Sequence, residues 1–329
     1  MKDKFNFCTI LDIGSFSQGI ALYESLLQHL PEAHLFVLAL DSATNDLMKE
    51  LTLQNITVIP LSNIEDNELF AIRQMISIKE YRWVCVPAII SYILKNYESN
   101  SCTYLNNALY FFNSLKPLIE ELEKTSIALI ENNFPVRCNE VNIFSRYSTQ
   151  FITFKKDKFG LAALNWWRNY RVKWFYNSSE PGKYYDQKEL DDWPQRFKRV
   201  SILQNPACGV KPANIKQYTV FFDSRLYAYN LKQSPFEIIF YHFYQLYSGN
   251  EKIVDLSSYD LPLTVINYIY KPYIEHLFNI SKTIKPIIKR LGISNSNISK
   301  KFIQRKFIHE NLILKKVYPE SVVWKQVVI

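Results

Sequence analysis

Within its first sixty residues the chain alternates three short apolar runs with two segments of helical period, and this alternation restricts its fold more than any other feature. Phe5 to Ile13 (FNFCTILDI) is apolar up to Asp12 and ends against Gly14. Ile20, Tyr23, Leu27 and Leu30 follow at helical spacing, so a strand, a tight turn and an amphipathic helix are expected. HLFVLAL (His34 to Leu40) stops at Asp41, a polar helix is expected over Asn45 to Leu53, and ITVIPL (Ile56 to Leu61) is a third strand. Repeated β-α-β units imply an α/β fold with a mostly parallel sheet flanked by helices. In such sheets ligands sit beyond the carboxyl ends of the strands. Asp12, Asp41 and the Asn106–Asn107 pair after CTYL are site candidates on that ground, although a carboxylate there also caps a following helix.

The pattern becomes irregular and aromatic after Glu131. YSTQFITF (Tyr147 to Phe154) alternates like a strand, and GLAALNWWRNYRVKWFY is a helix whose Leu164, Trp167, Tyr170 and Trp174 share a broad face. Core packing and stacking on a sugar or base are both open to that face. FEIIFYHFYQL (Phe236 to Leu246) is expected as one strand carrying His242, either a core histidine or a ligand. Asp186 and Gln187 follow a Pro181–Gly182 turn, where an Asp can act as general base, bind a sugar or cap a helix. The Gly209–Val210–Lys211–Pro212 bend offers one cation to a phosphate or to solvent.

The five cysteines are scattered with no C-x-x-C pair, as expected of buried free thiols. No run of about 18 uninterrupted apolar residues occurs, and the first apolar run is too short for a signal peptide, so a cytoplasmic location is expected. P-loop, G-x-G-x-x-G, H-E-x-x-H and G-x-S-x-G motifs are missing from the sequence. The formal charge of +8 is local: Ser281 to Lys316 holds ten Lys and Arg against Glu310 alone, leaving the remainder close to neutral. A nucleic-acid cleft is therefore not expected. In that segment Ile284, Ile287, Ile288 and Leu291 form one stripe opposite Lys282, Lys285 and Lys289, with Pro286 a possible helix start. The expected organisation is a domain over 1–280 and a basic, helical extension over 281–329, which either packs on the body or meets the anionic inner face of a membrane.

From Phe7 to Leu277 the chain resembles bacterial GT-A-type glycosyltransferases, the nucleotide-diphospho-sugar transferases. The segments that carry the resemblance are CTILDI, HLFVLALD, EYRWVCVP, CTYLNNALYFF, YSTQFITF, NWWR, DQKELDDWP, GVKPANIKQY, FYHF and IYKPYIEHL. It implies a GT-A-like fold, a UDP-type sugar donor held with a divalent cation, and hexosyl transfer to a glycan, lipid-linked or small-molecule acceptor, as in polysaccharide biosynthesis. Where the family reads roughly YLDADLYFF this chain has Asn106 and Ala108 at the two D-x-D positions. A hard cation requires carboxylate oxygens, so no metal cofactor is expected. The family's EYCWTCTP loses hydroxyls at Val84 and Val86, its Asn-Tyr after the first strand becomes Gly14 and Ser15, and its GVAPWN becomes GVKPAN. The resemblance then implies Asp186 and Gln187 as catalytic residues, and Asp12, Asp41, Asn106, Asn107, Arg146, Gln150, Lys211 and His242 as the donor-binding set. Lys211 or Arg146 would stabilise the departing diphosphate in place of the cation. The alternative is a catalytically silent relative that binds a sugar, a nucleotide or a partner enzyme.

Overall fold

The computed structural model describes residues 5–134, 145–177, 188–231, 233–243, 246–248, 253–255, 259–293 and 323–325. The expected alternation is present: β1 (Phe5–Leu11), α1 (Phe16–His29), β2 (Ala33–Ala39), α2 (Ser42–Glu50) and β3 (Ile56–Pro60). Next come α3 (Asn67–Met75), α4 (Ile78–Asn96), β4 (Ser101–Leu105), β5 (Leu109–Phe111), α5 (Lys116–Leu122), β6 (Ile127–Glu131), β7 (Tyr147–Lys155) and α6 (Lys158–Asn177). After α7 (Trp193–Arg196) and β8 (Val200–Ile202) the chain forms β9 (Thr219–Asp223), β10 (Arg225–Asn230), β11 (Gln233–Glu237) and β12 (Phe240–His242). It ends in β13 (Tyr247–Ser248), β14 (Ile253–Asp255), α8 (Leu263–Val265), a π-helical turn (Ile266–Tyr270), α9 (Lys271–Arg290) and β15 (Val323–Lys325).

Seven strands make the central sheet in the order β3-β2-β1-β4-β7-β6-β8. All neighbours are parallel except β7, which runs antiparallel between β4 and β6. Side chains of alternate residues leave on opposite faces, and both faces are buried. On one face Phe7, Leu35, Val37, Leu105 and Phe151 pack with α1 and α9; on the other Cys8, Ile10, Phe36, Leu38 and Phe154 pack with α4, α6 and Trp193. Four cysteines among the described residues, Cys8, Cys85, Cys102 and Cys208, are buried free thiols.

Two expectations are corrected by tertiary contacts. The single strand expected over Phe236 to Leu246 is two: β11 joins the antiparallel β9–β10 pair, and β12 pairs with β5. Between them the Ile238 amide donates to the Leu226 carbonyl and the Ile239 carbonyl accepts from Phe112, so the chain changes sheets within two residues. The helix start considered at Pro286 lies instead inside α9, with Pro286 exposed. Ile280 and Ile284 are buried against the body, Ile287, Ile288 and Leu291 pack behind them, and Arg290 pairs with Glu50. This packing offsets the backbone hydrogen bond that proline removes. The helix therefore passes through 280/281 unbroken, its apolar stripe on the body and Lys282, Lys285 and Lys289 in solvent. No helix among the described residues is long and apolar enough to cross a membrane.

On α6, Leu164 and Trp167 are buried as core while Tyr170 is exposed, because the inward stripe continues through Arg171 and Phe175. Arg171 is buried and its guanidinium pairs with buried Glu189, which also accepts from Trp167 Nε1 at 3.3 Å. The pair pins the short turn Lys188–Leu190 to the helix. Removing one member of a buried ion pair strands the other charge. Arg171→Met should therefore lower the unfolding free energy by about 3–5 kcal/mol in urea titrations, and Arg171→Met with Glu189→Leu should restore most of it. A loss below about 1 kcal/mol in the single variant would exclude this anchoring role.

Candidate functional site

The described candidates gather at or beside the carboxyl edge of the parallel strands, in two groups. Asp12 ends β1 and pairs with Arg82 of α4 at 2.9 Å, while Ser15 Oγ donates to its other oxygen at 2.7 Å. Burial pushes the Asp12 carboxyl up, but Arg82 and the Ser15 hydrogen bonds outweigh it and hold the group below its ordinary value. Asp41 ends β2; one oxygen accepts the Thr44 amide at 2.7 Å and caps α2, and the other accepts the Ile13 amide at 3.0 Å. These carboxylates tie together the turns that leave β1 and β2. Arg82 was not singled out from the sequence, although one arginine within the apolar helix IKEYRWVCVPAII was its signal.

The second group lies at the ends of β4 and β6 and the start of β7. Asn106 Oδ1 accepts the Ala108 amide at 2.9 Å, closing the turn between β4 and β5. Asn106 offers only a neutral carbonyl that already accepts this bond, and Ala108 has no side-chain oxygen, so these positions do not fit a hard divalent cation. No group of three or more His, Cys, Asp or Glu able to hold a metal exists among the described residues. Asn107 and Gln150 are buried, and neither the Asn107 Nδ2 nor either amide atom of Gln150 has a hydrogen-bond partner. Buried amides without partners are uncommon and mark places where water or a ligand completes the bonding.

Lys211 stands at the same edge. Its ammonium is buried, donates to Asn132 Oδ1 and lies 4.6 Å from the centroid of the Phe134 ring. Burial pushes its pKa down to about 7. The bend that delivers it depends on Gly209, at φ +79°, where a Cβ would approach the Glu131 carbonyl to 2.9 Å. Asn214 closes the bend by donating to the Gly209 carbonyl at 2.9 Å and to the Asn132 carbonyl at 3.2 Å. Asn132 and Asn214 were also not singled out, although Asn132 follows a strand as Asp12 does. His242 ends β12 beside Val210; burial and then Lys211 lower its pKa to about 3, so the imidazole is neutral near pH 7.

Arg146 precedes β7, is exposed and pairs with Glu131 at 2.7 Å. Its amide and the Ser145 hydroxyl both donate to Asp191, at 2.8 and 2.9 Å. Asp186 and Gln187 lie outside the described residues. An open cavity of about 480 Å³ adjoins the edge at Glu131 and Phe134, and none of the predicted site residues lines it.

No family profile matches the chain. It is 26% identical over 304 residues to the uncharacterized protein YfnF of Bacillus subtilis, covering 88% of this chain and 98% of that one. Over 280 residues it is 26% identical to the uncharacterized protein YfnD of the same organism, covering 83% and 88%. Among solved structures it is similar to the galactosyltransferase LgtC in complex with donor and acceptor sugar analogs, with TM-score 0.44 and 13% identity over 63% of this chain and 76% of that one. The apo form of mouse xyloside xylosyltransferase 1 gives TM-score 0.44 and 11% identity over 73% and 98%.

The burial of Lys211 has a measurable consequence. Its proton leaves near pH 7 in the folded protein but near 10.5 in the unfolded chain. Between those values the unfolded chain holds the extra proton, so this residue makes stability rise with pH, by at most about 1.4 kcal/mol per pH unit, and contributes no slope below. In urea unfolding at about pH 6, 8 and 9.5, wild type should gain on Lys211→Met as pH rises. Parallel profiles would show that the ammonium is not desolvated.

Proposed function

We propose that the protein transfers a hexose from a UDP-type nucleotide-sugar donor to a glycan, lipid-linked or small-molecule acceptor, without a divalent cation. The observation that carries this is the buried Lys211 ammonium at the carboxyl edge of the sheet, where the Gln150 amide and Asn107 Nδ2 have no partners. A departing nucleoside diphosphate develops negative charge, and a fixed cation in a water-poor site stabilises it strongly. An anion beside Lys211 raises the lysine pKa, so donor binding restores the full positive charge near neutral pH.

Chain residues supply each requirement of the reaction. The bond between the anomeric carbon and the diphosphate oxygen breaks, and its electron pair leaves with the diphosphate toward Lys211. Arg146, exposed and paired with Glu131, is assigned as the second cation for the outer phosphate, which it would engage by exchanging its carboxylate partner. The acceptor oxygen bonds to the anomeric carbon and its proton passes to the Asp186 carboxylate, while Gln187 hydrogen-bonds the sugar. Gln150 and Asn107 complete their hydrogen bonding on donor oxygens.

Calorimetric titration with nucleotides and nucleotide sugars, with and without Mn²⁺, tests the scheme. A UDP-type ligand should bind with the same affinity in both conditions, and Lys211→Met should weaken it by at least about tenfold, as expected for a lost charge-assisted contact. Binding that requires Mn²⁺ would overturn the metal-free mechanism, and no nucleotide binding would turn the assignment to the silent scaffold. Asp186→Asn should reduce turnover by about 10²-fold or more with donor affinity within about twofold. Retained turnover would remove Asp186 from the role of base.

A further inference from the structure

We infer that the open cavity beside Glu131 and Phe134 is a subsite for a neutral glycan; that this glycan is the acceptor of the transfer rests on the function proposed above. Its volume of about 480 Å³ falls within the range of small-molecule sites, roughly 300–1,000 Å³. Five of its ten described lining residues are Asn or Gln, and Glu131 alone among them has an acidic or basic side chain.

Three of these amides, those of Gln204, Asn205 and Gln217, are held at one end and available at the other. Gln204 donates Nε2 to the Ile202 carbonyl at 2.8 Å, and Gln217 donates Nε2 to the Asn133 carbonyl at 2.9 Å, so each keeps its side-chain oxygen as an acceptor. Asn205 Oδ1 accepts the Ala207 amide at 3.0 Å, which keeps its NH₂ as a donor. Fixed donors and acceptors lose little freedom when a hydroxyl-rich ligand arrives. Tyr218 adds a half-buried ring, steadied edge-on by Phe236 at 5.5 Å, whose hydroxyl makes no hydrogen bond among the described residues. An apolar face with a polar tip beside amide groups matches a sugar ring, which has C–H faces and hydroxyl edges.

Charge selects the class further. Among the described lining residues none is basic, so none of them offers a cation to a phosphate or carboxylate. A sugar phosphate or uronic acid would meet the Glu131 carboxylate instead, and a lipid chain would meet amides. Position ties the cavity to the reaction. Phe134 lines it and also touches the Lys211 ammonium, so a single ring separates a glycan here from the cation assigned to the departing diphosphate.

Saturation-transfer NMR and calorimetry on the full chain test this with lactose, maltose and cellobiose against glucuronic acid and glucose 6-phosphate, with UDP titrated into the same samples. The neutral disaccharides should receive saturation and the anionic sugars should not. Gln204→Ala, at an exposed loop position, and Gln217→Ala, half-buried at the end of a short 3-10 turn, should each weaken glycan binding by about fivefold with UDP affinity and thermal midpoint unchanged. Three results would each overturn the inference: no neutral sugar bound, preference for the anionic sugars, or unchanged affinity in both variants. Glycan binding without UDP binding would leave the subsite standing and overturn the transferase reading; UDP binding without glycan binding would do the reverse.

Discussion

A largely parallel sheet buried on both faces has no room for polar chemistry along its strands. Side chains above and below the sheet are committed to two cores, one against α1 and α9 and one against α4, α6 and Trp193. Polar groups needed for recognition must therefore leave where strands end, and here they leave at one edge. Asp12, Asp41, Asn106, Asn132 and Arg146 all stand there because β1, β2, β4 and β6 end there and β7, running the other way, begins there.

Around that edge most charges have been compensated by the fold itself. Asp12 is held by Arg82, Glu131 by Arg146, and Arg171 by Glu189. Lys211 differs, since its ammonium is buried against a neutral amide and an aromatic ring. An uncompensated buried cation is costly, and the lowered pKa is the form that cost takes. The unpartnered amides of Gln150 and Asn107 carry a similar deficit. A ligand that carries both anionic oxygens and hydroxyls would relieve both, the hydroxyls serving Gln150 Oε1.

Periodicity and strand-end position were sufficient to find much of this. Three strands and two helices of the first half follow from apolar spacing, and the strand-end rule places Asp12, Asp41 and Asn106 at the edge. The same rule applies to Asn132, whose signal lay in the polar Asn132–Asn133 pair after β6. Arg82 carries a subtler signal, since its partner is 70 positions away and only helix packing brings α4 beneath β1. The division of Phe236 to Leu246 into two strands has no breaker residue to mark it, because the run from Phe236 to Phe243 is continuously apolar and aromatic apart from Glu237 and His242.

The sequence by itself determined the strand and helix periods of the first half, the strand ends where polar groups must emerge, and that neither Asn106 nor Ala108 carries a carboxylate. Tertiary structure alone decided what each polar group does there. It engaged Asp12 with Arg82, used Asp41 to join two turns, ran α9 through Pro286, and left the Gln150 amide without hydrogen-bond partners and Lys211 without an anionic one. The physical reason is that periodicity reports which side of an element is apolar, whereas desolvation and pairing depend on neighbours that are distant in the chain.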